Sequence, residues 1–130
     1  MDAAGIVFYP RYFELLNAAV EDWFADRLGR SFRDLHLVDR IGTPTVKLDA
    51  EFLSPAKLGD TLDIELSPEK VGNSSCTVSF NMACDQTIRL RGTVVLVCMD
   101  LDLKKAKPWP QDIAAAMRSG VRSDSDDGMA

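Results

Sequence analysis

Histidine is almost missing from this chain. His36 stands alone among 130 residues, so a histidine-rich metal cluster is excluded and no metal site is expected. Cysteine is scarce and odd in number. Cys76, Cys84 and Cys98 fall in apolar, strand-like surroundings, which reads as buried reduced thiols of a cytoplasmic protein and not as a disulfide framework. Local sequence supplies no histidine partner for thiol catalysis at Cys76 or Cys98. Positive charge is in deficit, with 15 basic against 20 acidic residues, and the basic residues are dispersed, which gives a nucleic-acid surface little support. No run approaches the roughly 18 apolar residues of a membrane-spanning helix, and no basic leader precedes an apolar core. Neither a span nor a secretory signal is therefore expected. What remains, 46% hydrophobic and 27% charged, is the composition of one globular domain.

The chain is organised around its first 28 residues. Ala3 to Tyr9 is a short apolar stretch broken by Gly5. From Pro10 onward Phe13, Leu16, Val20, Trp23 and Phe24 recur at spacings of three and four, with Glu14, Asn17, Glu21 and Asp22 on the opposite side. That periodicity predicts a half-buried helix of roughly four turns, closed by Leu28-Gly29. Its first-turn amides, near Tyr9 to Phe13, have no partner inside the helix and face any anion or polarised carbonyl that approaches. Asp2, a few residues upstream, has two readings. It is an unstructured or weakly capping residue at the chain start, or a carboxylate beside an oxyanion site, which would be a hydrolytic centre.

Residues 30 to 42 contain Phe32, Leu35, Leu37, Val38 and Ile41 and read as a connector with one helical turn, packed against the helix, with His36 a connector residue. After Gly42 the period becomes two. Val46, Leu48, Ala50 and Phe52 alternate with Thr45, Lys47, Asp49 and Glu51, and Leu62, Ile64 and Leu66 resume the pattern beyond Pro55 and Gly59-Asp60. The simplest expectation makes these two strands antiparallel neighbours. Cys76, Val78, Phe80 and Met82 form the inward row of a third strand after the Gly72-Asn73-Ser74 turn. Asp85-Gln86 is a hairpin turn, and a long strand follows from Thr87 to Met99. Its apolar second half, Val94 to Met99, predicts cover on both faces, by the helix and by another subunit. Lys104 to Lys107 reads as solvated, and Gln111 to Arg118 as a terminal helix with Ile113 and Met117 on its apolar side. A single domain of residues 1–118 is expected, followed by a disordered tail, residues 119–130.

One long helix followed by at least four antiparallel strands is an α+β layout, the helix lying across the inner face of the sheet. One helix cannot hide both faces of such a sheet, so a homodimer with a site between subunits is expected.

The stretch Asp2-Ala3-Ala4-Gly5-Ile6-Val7-Phe8-Tyr9-Pro10-Arg11-Tyr12-Phe13 closely resembles the signature of the 4-hydroxybenzoyl-CoA thioesterase branch of the hot-dog-fold thioesterases. Phe52-Leu53-Ser54-Pro55-Ala56-Lys57-Leu58-Gly59-Asp60-Thr61-Leu62 resembles the strand-turn-strand signature of the same superfamily, and the resemblance spans about residues 2 to 118. It implies a hot-dog fold, a long central helix wrapped by a curved antiparallel β-sheet. It also implies homodimers joined edge to edge, often paired into homotetramers, that hydrolyse acyl-CoA thioesters with aryl or short-to-medium acyl groups. No cofactor is implied, coenzyme A being part of the substrate. The resemblance carries the nucleophile or general base onto Asp2 and the oxyanion-binding backbone amide onto Tyr9. Coenzyme A phosphate contacts fall on Lys70, with Ser74 and Ser75 as hydrogen-bond donors. Arg11 and Lys57 are further cationic candidates, and Glu14 matches the helix-borne carboxylate of a different branch. One departure is the chain start. The resembled enzymes carry a strand before the motif aspartate, whereas only Met1 precedes Asp2, so either the start is truncated or another edge or subunit covers an otherwise unpaired sheet edge. A non-catalytic acyl-CoA-binding or regulatory module and a purely structural dimer are the competing readings.

Overall fold

Helix α1 runs Tyr9–Asp26 in the computed structural model, which describes residues 9–54 and 61–121. Tyr12, Leu16, Val20 and Phe24 form a row of i, i+4 neighbours, and all are buried, as is Leu28 just beyond the last turn. Phe13 and Trp23, expected on this face, flank the row and are only half-buried, because each residue step turns the helix by about 100°. The helix closes two residues before Leu28. Gly29 supplies the left-handed turn at φ 82°, and the Arg30 N–H donates back to the Phe24 carbonyl at 3.1 Å.

A short helix α2 (Phe32–Asp34) follows, capped by Ser31, whose hydroxyl accepts from the Asp34 N–H at 3.1 Å. It runs into a π-helical turn, Leu35–Asp39. Only part of this connector packs as expected. Leu35 is buried, but Leu37 and Val38 stand exposed, because the wide turn carries them to the side away from Leu35. His36 is also exposed, its ring 5.9 Å from that of Phe32.

The main sheet contains β2 (Thr45–Phe52), β3 (Asp63–Val71), β4 (Ser75–Cys84) and β5 (Thr87–Val97), all antiparallel, in the order β2-β5-β4-β3. A small sheet joins β1 (Ile41–Gly42), β6 (Met99–Asp100) and β7 (Lys105–Ala106) in the order β1-β6-β7. The expected pairing of β2 with β3 is therefore wrong, and the two strands form opposite edges. Alternation dictates which faces a strand has but not which strand lies beside it. Residues 53–62, at about 3.3 Å each, can cross three strand spacings of about 4.8 Å.

The inner row of β4 is as expected, with Cys76, Val78, Phe80 and Met82 all buried. Asp85 and Gln86 turn the β4–β5 hairpin at φ 53° and 67°, two left-handed residues in succession. The final strand is shorter than expected. It stops at Val97, and Met99–Asp100 crosses to pair with β1. Within the chain its second half is covered on one face only, Val94 and Leu96 being buried while Thr93, Val95 and Val97 are half-exposed. α3 (Gln111–Ser119) extends one residue beyond the expected helix and buries Ile113 and Met117. Trp109, just before it, is buried beside Phe24 and donates from Nε1 to the Ser75 carbonyl at 3.0 Å.

Both edges of the main sheet carry inner-face side chains that α1 leaves incompletely covered. Every residue of β2 is exposed. Leu48, Ala50 and Phe52 face inward opposite Val94, Gly92 and Leu90, while a bulge between Thr45 and Lys47 takes Val46 out of the expected row. At the other edge β3 has no strand outside it among the described residues. Pro68 sits at a bulge in this edge strand, where its missing N–H is tolerated.

Cys76, Cys84 and Cys98 are buried free thiols. Burial pushes the Cys76 thiol up to about 12. Burial likewise pushes Cys98 up to about 11, with Lys107 opposing and Asp100 adding to the shift.

Two outcomes follow from this packing. A Cβ at position 92 would lie 2.0 Å from the Asp49 carbonyl oxygen and 2.9 Å from the Ala50 Cα, both backbone atoms of β2. Gly92→Ala should therefore cost about 1–3 kcal/mol or more in urea unfolding and speed amide exchange at Leu48 and Ala50; unchanged values would refute the close approach. For the thiols, the unfolded chain releases protons near the ordinary value of 9.0 while the folded Cys76 and Cys98 hold theirs. The folded protein should resist a disulfide reagent at pH 8, and its stability should fall as pH rises from 9.0 toward about 12. Urea midpoints that climb over that range would contradict it.

Candidate functional site

Pro10 is the second residue of α1 and has no N–H, so Tyr9 and Arg11 bring backbone N–H groups to the opening of the helix. No acidic residue occupies this turn, and the positive end of the helix dipole is not neutralised from within it. Arg11 instead pairs along the exposed side with Glu14 at 3.2 Å.

The helix start meets the sheet at Phe52. Its ring packs edge-on against Tyr12, with centroids 5.5 Å apart and planes at 68°. That contact identifies the Leu48, Ala50 and Phe52 face of β2 as the side that carries the helix. Phe52 remains 51% exposed, and Leu48, Leu53 and Ile88 are exposed as well. An open apolar shelf thus starts beside the first turn of α1 and runs along the inner face of β2. At its end the N–H groups of Leu53 and Ser54 both donate to the Arg89 carbonyl, at 2.8 and 3.2 Å. The Arg89 guanidinium donates to the Ser54 hydroxyl at 3.3 Å, which ties the chain to β5 as it leaves the shelf. Helix-end amides beside an apolar shelf can polarise the carbonyl of an apolar acyl group lying on it.

Asp2 and Lys57 lie outside the described residues. Tyr9 is the first residue of α1, one turn from the Tyr12–Phe52 contact. Lys70 is exposed on β3, and Ser74 and Ser75 are half-buried where the chain turns into β4. The backbone there is locked. The Ser74 carbonyl accepts from Cys98 at 2.8 Å, and the Ser75 carbonyl accepts from Gly72 at 2.8 Å as well as from Trp109. Gly72 permits this turn, since a Cβ there would stand 2.8 Å from the Ser75 hydroxyl.

Within one chain these two groups are far apart. Phe52 pairs with Leu90 and Leu90 with Met82, so the helix start is level with Met82, whereas Ser75 begins β4. The separation along the strand is about 23 Å. Tyr9 lies in the turn of α1 that precedes Tyr12, at the Phe52 end of the sheet, and Ser74 and Ser75 lie at the other end. Glu14 is exposed and turned toward Arg11.

The sequence does not single out the Tyr12–Phe52 contact or the hold of Arg89 on Ser54. Phe52 stands in the expected inward row and Arg89 in an alternating polar one, and neither pattern names a partner. A groove of 790 Å³ between α1, β3 and α3 is lined by Leu15, Trp23, Leu62 and Ile64 and bordered by Asp22 and Glu65. It contains none of the expected site residues. Among the described residues no group of three or more His, Cys, Asp or Glu side chains is placed to hold a metal ion, and no helix is long and apolar enough to cross a membrane.

A family model described as the thioesterase-like superfamily matches residues 1–117. The 1,4-dihydroxy-2-naphthoyl-CoA hydrolase of Nostoc punctiforme is 22% identical over 121 residues, covering 93% of this chain and 81% of its own. Among solved structures, a thioesterase superfamily protein of Jannaschia sp. superposes with a TM-score of 0.86 at 22% identity, over 95% of this chain and 86% of that one. The 1,4-dihydroxy-2-naphthoyl-CoA thioesterase of Synechocystis superposes with a TM-score of 0.80 at 22% identity, over 91% and 87%. The helix against a curved antiparallel sheet is the hot-dog fold of these neighbours. With a match that runs through nearly all of its elements, this chain belongs to the thioesterase-like superfamily.

Proposed function

We propose that this protein is an acyl-CoA thioesterase of the 4-hydroxybenzoyl-CoA thioesterase-like branch, acting on aromatic acyl groups as a homodimer paired through β2. The observation that carries this reading is the first turn of α1 opening beside the uncovered apolar shelf at Phe52. A thioester carbonyl lying there would place its oxygen against the amide of Tyr9, where the charge that builds during attack is received without reorganisation. Asp2, from the Asp-x-x-Gly motif, attacks the carbonyl carbon or takes a proton from the attacking water. The departing coenzyme A thiolate is a good leaving group and asks for no strong general acid. The naphthoyl substrates named for the relatives, together with the aromatic ring of Phe52 on the shelf, favour an aryl group.

The β2 edge supports the dimer. Its backbone groups on the outer side have no partner strand among the described residues, and its inner apolar row is uncovered. Two-fold antiparallel pairing of β2 with a second copy sets Phe52 of one strand beside Thr45 of the other. Thr45 is level with Leu96 and Cys76, so the second copy's Ser75 comes to the same end as this chain's helix start. It lies three strand spacings from β2, about 14 Å, instead of at the far end of the same chain. Lys70, Ser74 and Ser75 then receive the coenzyme A phosphates from the second copy.

A panel of acyl-CoA thioesters assayed by free-thiol release should give turnover with aromatic members. Asp2→Asn should lower that turnover at least about a hundredfold while circular dichroism and sedimentation stay unchanged. Unaltered hydrolysis in that variant would remove Asp2 from the mechanism. Tight binding of the esters without any thiol release would replace the enzyme with a binding module.

A further inference from the structure

The π-helical turn Leu35–Asp39 is a rare wide turn of a kind frequent at functional positions. Leu35 enters the core, while Leu37 and Val38 are 64% and 75% exposed. The turn is braced on both sides. The Leu35 N–H donates to the Ser31 carbonyl at 3.0 Å, Asp39 pairs with Arg30, and Arg30 reaches on to Asp112 of α3 at 2.7 Å. Beyond it Arg40 adopts a left-handed φ of 56°, pairs with Asp102 at 2.8 Å, and offers its carbonyl to the Leu101 N–H. Residues 35–38 carry no carboxylate or ammonium group. Two aliphatic side chains are thus held out by a fixed turn, as on a surface that something else covers.

Its position indicates what covers it. Arg40 leads through β1, which pairs with β6 past the end of β5, to Thr45, so the turn lies beyond the Thr45 end of β2, and Phe32 and Leu35 beside it join the core with α1. In a two-fold β2–β2 pair that end lies beside Phe52 of the second copy, and Phe52 touches Tyr12 next to the helix start. The geometry points to Leu37 and Val38 as specificity-determining residues supplied in trans: they close the acyl end of the second copy's site, opposite Phe52, and favour a flat aromatic acyl group over a small one. This assignment rests on the β2-paired dimer proposed above and names the part of that site that selects the acyl group.

Two measurements test it. In the first, kcat/KM for benzoyl-CoA and acetyl-CoA is compared between the wild type, the double variant Leu37→Ala with Val38→Ala, and Glu65→Ala, an exposed residue of β3 at the opposite edge of the sheet. The double variant should lose at least about tenfold in the benzoyl-to-acetyl ratio and remain a dimer in sedimentation velocity, while Glu65→Ala keeps the wild-type ratio. In the second, differently tagged chains carrying Val38→Cys and Phe52→Cys are mixed with a short bis-maleimide, which adds one thiol across each of its two double bonds. A covalent mixed dimer is expected, and none when Glu65→Cys replaces Val38→Cys.

An unmoved ratio in an intact dimer, or a dimer that gives no Val38–Phe52 crosslink, overturns the assignment and leaves the proposed function standing. Loss of the dimer in the double variant overturns it too, by making these residues part of the subunit contact. A monomeric wild type sinks the β2 pairing and this assignment together. A dimer with no thioester hydrolysis sinks the proposed function, and the crosslink alone then decides where the turn lies.

Discussion

Strand β2 is held to the protein from one side, and much else depends on that. Its seven paired residues all face β5, and at Gly92 the β2 backbone occupies the place a side chain would take. The inner row of Leu48, Ala50 and Phe52 continues the apolar face of β5 past the reach of α1, so the sheet carries more apolar surface than one helix covers. Such an edge invites a second chain, and charges on the other face, Lys47, Asp49 and Glu51, do little to close the inner one. Among the described residues the same shortfall of cover leaves the first turn of α1 open toward the shelf. A longer or shifted helix would bury β2 and remove the site.

The two ends of the sheet are built differently. At the Ser74–Ser75 end the backbone is held by Cys98, Gly72 and the indole of Trp109, and Phe24 and Trp109 fill the space beneath. At the Phe52 end the Tyr12–Phe52 ring contact joins helix and sheet, and apolar side chains stand in solvent. Fixed backbone suits the holding of a polar, extended group, and open apolar surface suits a group that brings its own cover. An acyl-CoA has one part of each kind. In the proposed dimer each part meets the matching end, one from either copy.

How far the sequence could be read follows from what each pattern encodes. The row from Leu16 to Phe24, the inward side of β4 and the pair Ile113 and Met117 were legible because each is buried by its own chain, and periodicity records that burial directly. The Asp85-Gln86 turn was legible from the polar pair between two alternating runs. The neighbours of β2 and β3 were not, because a period of two is the same at an edge as in the centre. Leu37 and Val38 looked like packing residues, since composition cannot separate an apolar side chain that meets its own core from one held away from it. Of the proposed site, the motif from Asp2 to Tyr9 stands in the sequence, and residues 2–8 of it lie outside the described residues. The distance from Tyr9 to Ser74 could not, since it depends on strand order and on whether one chain or two is counted.

A single histidine is no handicap for the chemistry proposed. Amide or ester hydrolysis demands that a poor leaving group be protonated as it departs, which usually calls for a tuned acid near neutrality. A thiolate leaves without that help, so the remaining needs are a place for negative charge on oxygen and a base or nucleophile on the other side. Helix-end amides meet the first from the backbone alone, at no cost in titratable residues. One carboxylate meets the second. The polar machinery can then be small, and most of the site can be apolar surface that recognises the acyl group. An aromatic ring laid on Phe52 from a shelf with no charged side chain in its inner row would be chosen by shape, which places selectivity in whatever closes the shelf from above.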